Sequence, residues 1–274
     1  MQQLLKVEWL KIKRYKAFIL LTLFYALGVF VLNYIVYSVF DNIIKTSKAG
    51  ALIDQFNPYA FDHVWQTVSY ASGYLLLMPA LLMLLLVTNE YTFRTNRQNI
   101  IDGWSRMQFV QVKWVMAFLL SVISTILVLL AGLIFGGLSG SEFSWNGFSH
   151  IGFFFLKTFS YLMLAVLMGV WLKRTGIAIG VFFLYLGGEN VIAQILDVLS
   201  LKIKSNWNKD LGAMGDYLPM NASDGLLTFP ENPLKTMADV GLPTEYTYVS
   251  LGFAIGYLGL FFLLSARSII RKDL

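Results

Sequence analysis

The sequence predicts an all-α integral membrane protein. It should have six transmembrane helices, an interfacial amphipathic helix before the first, and a short capped helix between the second and third. Three observations predict it. Hydrophobic residues make up 57% of the chain and charged residues only 14%, against about 25% charged in soluble domains, and the mean hydropathy is +0.64. Several apolar runs exceed the roughly 18 residues that mark a membrane-crossing helix. Basic residues collect in alternate loops, as they do when those loops share one side of a bilayer. The chain has no cysteine and only His63 and His150, so disulfides and thiolate metal sites are excluded and a histidine metal site is disfavoured. The net charge of +5 is what basic cytoplasmic loops give, and nucleic acid is not needed to explain it.

The chain starts with an expected interfacial helix over 1–16. Leu5, Trp9 and Ile12 share one helical face, with Lys6, Lys13 and Lys16 off it toward anionic headgroups. The transmembrane domain covers 17–266. Span one is expected at Ala17–Val39, and 40–66 is a polar loop. Span two, Thr67–Thr88, carries Pro79 near its middle, where a kink is expected. Span three is expected at Met107–Gly137, span four at Ser149–Trp171 and span five at Gly176–Val198, with the basic turn Lys173-Arg174-Thr175 between the last two. Residues 199–246 are too polar to span and should form short helices over the outer mouth. Span six is expected at Thr247–Ala266, followed by the tail 267–274. Trp65, Trp145 and Trp171 fall near span ends, where an aromatic belt belongs. The pairs Gly132/Gly136, Gly176/Gly180 and Gly252/Gly256 permit close helix packing, within the chain rather than at a dimer seam.

An even number of spans puts both termini on one side. That side holds Lys6, Lys11, Lys13, Arg14, Arg94, Arg97, Arg106, Lys113, Lys173 and Arg174, whereas most acids fall in the opposite loops. The expectation is therefore cytoplasmic termini and a cytoplasmic stretch 89–113 in a plasma membrane. This stretch carries two capping-box spacings, Thr95 with Gln98 and Ser105 with Gln108, with Gly103 placed as a helix stop between them. It reads as a short helix from Asn96 to Asp102, a turn, and a new helix entering the membrane.

No GxxxxGK[ST] loop is present, so the chain supplies no ordinary P-loop ATPase site, and neither HExxH nor GxSxG occurs. Two charges fall inside spans. Lys157 lies roughly 12 Å from the outer edge, and Glu189 roughly 20 Å from the inner edge of a core about 30 Å thick. Matched depths predict an ion pair between adjacent antiparallel spans. The pair either lines a cargo path with Asn190 and Gln194 alongside or is static, and a lysine snorkelling outward is the third reading.

The amphipathic start, the six spans and the loop pattern Glu90, Thr95, Arg97, Ser105, Arg106 and Lys113 resemble the permease subunit of a type 2 ABC transporter. Many relatives have glycine just before the threonine, where this chain has Arg94. The resemblance implies a coupling helix seated in a cleft of a separate ATP-binding cassette ATPase subunit. It also implies a second permease chain in a homodimer or heterodimer, and ATP and Mg held by the partner rather than by this chain. The contact is expected at Glu90, Arg94, Thr95, Arg97, Ile100, Ile101, Trp104 and Arg106. The loop arginines alternatively hold lipid phosphate. The whole then exports a substrate across a bacterial inner membrane, with no enzyme activity in this chain. The competing readings are a secondary transporter and a non-transporting membrane scaffold. An extracytoplasmic partner over 199–246 is a further expectation.

Overall fold

The structure is a computed structural model that describes residues 2–46, 57–95, 98, 101, 103–230 and 246–271. All regular structure among these residues is helical. Helix α1 (Gln2–Ile12) precedes α2 (Lys16–Thr46), and the second span is α3 (Phe61–Gly73), a 3-10 turn (Tyr74–Leu76) and α4 (Leu77–Thr92). Then come α5 (Arg106–Leu138), α6 (Ser149–Leu172) and α7 (Thr175–Trp207). A 3-10 turn (Met214–Tyr217) and α8 (Asn221–Asp224) lead to α9 (Thr247–Arg271). Six of these segments are long and apolar enough to cross a membrane, as the sequence predicts.

Helix boundaries follow local chemistry. Pro79 has no N–H to give the carbonyl four residues back, at Leu75, and the helix tightens to 3-10 geometry at Tyr74–Leu76. The expected discontinuity therefore lies one turn ahead of the proline. Helix α5 starts at the predicted capping box: the Gln108 N–H donates to Ser105 Oγ at 3.1 Å, and the Ser105 N–H to Gln108 Oε1 at 2.9 Å. Gly103 has φ +94°, the left-handed conformation a stop signal needs. Lys173 ends α6 in the left-handed region at φ 57°, and α7 begins two residues later.

The second span and α6 form the middle of the bundle, with 67% and 61% of their apolar windows buried against 17% for α2. Helix α6 touches α3, α4, α5, α7 and α9. It meets α4 closely, because Gly169 has no side chain and a Cβ there would lie 2.8 Å from Val87 Cγ1. Buried Asn33 ties α2 to α3 by donating to Ser72 Oγ at 3.1 Å and accepting from the Tyr59 hydroxyl.

Three expectations are corrected. Helix α7 does not end at Val198 but runs on through Trp207, so the polar residues 199–207 are helical rather than loop. Trp65 is no belt residue: it is buried, donates Nε1–H to the Ser144 carbonyl at 2.9 Å and stacks on Trp145. Trp145 and Trp171 are exposed, as a belt requires. Of the glycine pairs, Gly132 and Gly136 pack against Trp65 and Phe61 inside the chain, but Gly176, Gly180, Gly252 and Gly256 have nothing within 4 Å of a built Cβ. Among the described residues, those two pairs have no packing partner. Residues 208–230 do form short helices over the face opposite α1; the remainder of the outer segment, 231–245, lies outside the described residues.

Candidate functional site

The stretch between the second and third spans is held by ionic and polar contacts from several elements. Lys113, seven residues past Arg106 in α5, is 1% exposed and places Nζ 2.6 Å from Glu8 Oε2 and 2.6 Å from Glu90 Oε1. Lys11 Nζ lies 3.0 Å from Glu8 Oε1 and 3.4 Å from Glu90 Oε1. Two lysines thus face two carboxylates. A charge buried this deeply is tolerable only when paired and hydrogen-bonded. Burial pushes the Glu8 carboxyl up, but Lys113 foremost and Lys11 outweigh it and hold it below its ordinary value. Through this cluster α1, the end of α4 and the start of α5 are tied together.

Further contacts attach the junction to the rest of the same face. Asn89 Nδ2 donates to the Tyr15 hydroxyl at 2.9 Å. The Thr175 hydroxyl at the start of α7 donates to Thr88 Oγ1 at 2.9 Å, and Lys173 Nζ lies 5.5 Å from the centre of the Tyr91 ring. Arg106 donates to the carbonyl of Ile270 near the end of α9 at 3.3 Å. Among the described residues, the two ends of the loop are thus tied to α1, to Tyr15 before α2, to the turn between α6 and α7, and to α9.

The expected contact residues divide. Glu90 is corrected: at 6% exposure its carboxylate is turned inward to Lys113, and its side chain is not available to a partner. Arg94 is exposed with φ 57°, in the left-handed conformation for which glycine is best suited. The Thr95 hydroxyl donates back to the Glu90 carbonyl at 3.5 Å. Trp104 is half-buried against the core and lies under Lys11 at 5.8 Å, and Arg106 is half-buried. Ile101 projects fully, 84% exposed. Arg97 and Ile100, and most of the helix expected over Asn96–Asp102, lie outside the described residues. Phe93, absent from the sequence-based set, is 71% exposed beside Arg94. The signal for it was an aromatic residue just past the last apolar turn of a span, in an otherwise polar stretch.

On the opposite half of the bundle the expected Lys157–Glu189 pair does not form. Lys157 Nζ instead lies 3.2 Å from Asp224 Oδ1, and the Tyr161 hydroxyl donates to Asp224 Oδ2 at 2.9 Å. Glu189 Oε1 accepts the backbone N–H groups of Met220 and Asn221 at 2.5 and 2.9 Å. The physical reason is α8, a short turn packed against α6, α7 and α9. It brings the Asp224 carboxylate to Lys157 and the N–H groups of Met220 and Asn221 to Glu189. Asn190 and Gln194 lie on the exposed side of α7, away from buried Glu189, so the four residues do not share one face of the chain. Among the described residues no three His, Asp or Glu side chains come together to hold a metal ion.

Six apolar helices, with a polar elbow whose ends are tied to its neighbours and from which Phe93 and Ile101 project, define a multi-pass membrane protein. The chain belongs to the ABC-2 transporter family: the family described as ABC-2 family transporter protein matches residues 4–187, from α1 into the first half of α7. It is thus the membrane subunit of an ABC transporter, a permease type without an ATPase site of its own. No curated protein matches the chain.

Proposed function

We propose that this chain is the permease half of a transporter that exports cargo across a bacterial plasma membrane, powered by a separate ATP-binding cassette subunit. The partner holds ATP and Mg and docks on residues 89–106, with both termini of the permease in the cytoplasm. The observation that carries this reading is the outward projection of Phe93 and Ile101, 71% and 84% exposed, from an elbow whose two ends are held by the surrounding helices. Exposed apolar anchors ringed by polar side chains, here Arg94 and Gln98, are the pattern of an interface centre. A lever must be stiff as well as sticky. The Glu8–Lys113–Glu90 cluster provides stiffness, because a push on the elbow moves α1, α4 and α5 together. Cassette closure on ATP would then bias a two-state bundle between inward- and outward-facing arrangements.

A second permease chain is part of the proposal. Helix α7 presents an apolar face carrying Leu184 and Ile195, 77% and 62% exposed, with Gly180, Gly187 and Gly188 open beside them. Small residues on an exposed span face allow close approach of another helix.

The test is co-purification from the source membrane followed by ATP hydrolysis. The wild-type chain should bring down a subunit with a P-loop and hydrolyse ATP in its company. Phe93→Asp with Ile101→Asp should weaken the association at least about tenfold, since interface anchors each contribute about 2 kcal/mol or more. Cargo movement without any nucleotide-hydrolysing companion would favour the secondary-transporter reading.

A further inference from the structure

We infer that the groove under α1 is a binding site for one anionic phospholipid, with an acyl chain in the groove and the headgroup at Lys6. The groove has a volume of about 380 Å³, within the range of small-ligand sites. Leu86 of α4 and Met116, Leu120 and Ile123 of α5 form its walls, and Leu5 and Trp9 of α1 form its roof. Its surface is apolar almost throughout. From Met116 to Ile123 the wall runs roughly 10 Å along the helix at 1.5 Å per residue, so the groove is elongated along the bundle.

Three observations select this occupant. The groove opens toward the bilayer rather than toward water, because Leu119 and Ile123 beside it are about half-exposed on a membrane-crossing helix. An apolar slot of this orientation takes hydrocarbon, whose burial is favourable by about 0.8 kcal/mol per methylene relative to water. Next, the rim is positive. Glu8 borders the groove, but its charge is matched by Lys113 and Lys11, which leaves exposed Lys6 to set the sign at the entrance. Lys13, Arg14 and Lys16, exposed in the turn after α1 and at the start of α2, do not line the groove but make this part of the chain basic. A phosphate headgroup carrying net negative charge fits that rim better than a zwitterionic one. Last, the groove exists because the buried ion cluster fixes α1 at its distance from α5; the site is built by the fold and does not depend on a mobile segment.

The site differs from generic lipid contact in its selectivity and retention, and these can be measured. The full-length chain, purified in detergent and mixed with phosphatidylglycerol and phosphatidylcholine of identical acyl chains in equal amounts, is examined by native mass spectrometry. One phosphatidylglycerol per chain should survive conditions that strip phosphatidylcholine. Lys6→Glu should lower its retention about fivefold or more, the effect of one lysine near a headgroup, and Lys6→Arg should preserve it. Ile123→Trp, which fills the wall, should abolish retention of either lipid. Lys202→Glu, in a separate groove along α7, should change nothing. Equal retention of the two lipids by the wild-type chain overturns the proposal, as does undiminished phosphatidylglycerol in Lys6→Glu. Lys6 is exposed, so folding is not at stake in that arm. Lipid loss in Lys202→Glu equal to that in Lys6→Glu would also overturn it.

Discussion

Lys113 and Glu90, 23 residues apart on the two spans that flank the elbow, meet at 2.6 Å with both side chains almost wholly removed from solvent. Glu8 of α1 closes the other side of the same amine at 2.6 Å. The elbow is thus clamped at its root, and its tip is left to project.

Removing the central lysine should be far more damaging than removing the whole cluster. Lys113→Met leaves two buried carboxylates without their main partner, at a cost of about 3–5 kcal/mol. The thermal midpoint of the purified chain should drop sharply. The triple variant Glu8→Gln, Glu90→Gln, Lys113→Met removes the stranded charges and should regain most of the loss, because neutral replacements of a buried pair are often nearly harmless.

Acid should loosen α1. The folded carboxyl of Glu8 sits below its ordinary value, about 4.3 in an unfolded chain. Its contribution to stability is therefore complete above that value and declines as pH falls through the lower folded value. Melting curves between neutral pH and about pH 3.5 should show a decline on the acid side that Glu8→Gln flattens. A decline of unchanged size in Glu8→Gln would assign it to other groups.

Arg94 occupies a backbone conformation that suits glycine better than arginine. Arg94→Gly should leave the elbow's shape intact and be neutral or stabilising by up to about 1 kcal/mol. Arg94→Val, with a branched Cβ in the left-handed region, should lower the thermal midpoint. Comparison of the two midpoints with wild type checks the geometry at this one residue.

The intramembrane charges make a contrasting pair of swaps. Lys157→Asp and Asp224→Lys should each destabilise, and the double reversal should restore much of the loss, since the two are 3.2 Å apart. Reversing Lys157 together with Glu189 should rescue nothing, because Glu189 is occupied by the N–H groups of Met220 and Asn221. Thermal midpoints of the four variants, with Glu189→Lys alone as the reference for the second pair, decide between the two pairings.

The six spans were legible because crossing a bilayer requires length and apolarity, and both can be counted along a sequence. The Ser105–Gln108 cap and the Gly103 stop were legible because their chemistry is local. The far end of α7 was not: residues 199–207 carry Lys202 and Lys204, and polarity there marks emergence from the membrane, not the end of the helix. Depth counted along each span suggested a pair between Lys157 and Glu189. It could not reveal that α8 folds back between them, carrying Asp224 for Lys157 and the backbone N–H groups of Met220 and Asn221 for Glu189. Glu90 read as an exposed loop acid because its partners are remote, with Lys113 and Glu8 separated from each other by 105 positions. A lysine seven residues inside a capped span was the available hint, since such a charge needs a carboxylate nearby.

The most direct test of the central claim uses a photo-crosslinking residue placed at position 101, with position 184 on the exposed face of α7 as the comparison. In the native membrane, illumination should join position 101, and not position 184, to a P-loop ATPase subunit, and the yield should change when ATP is added. An adduct at 101 that contains no nucleotide-binding subunit, or equal capture of that subunit from both positions, would contradict the account.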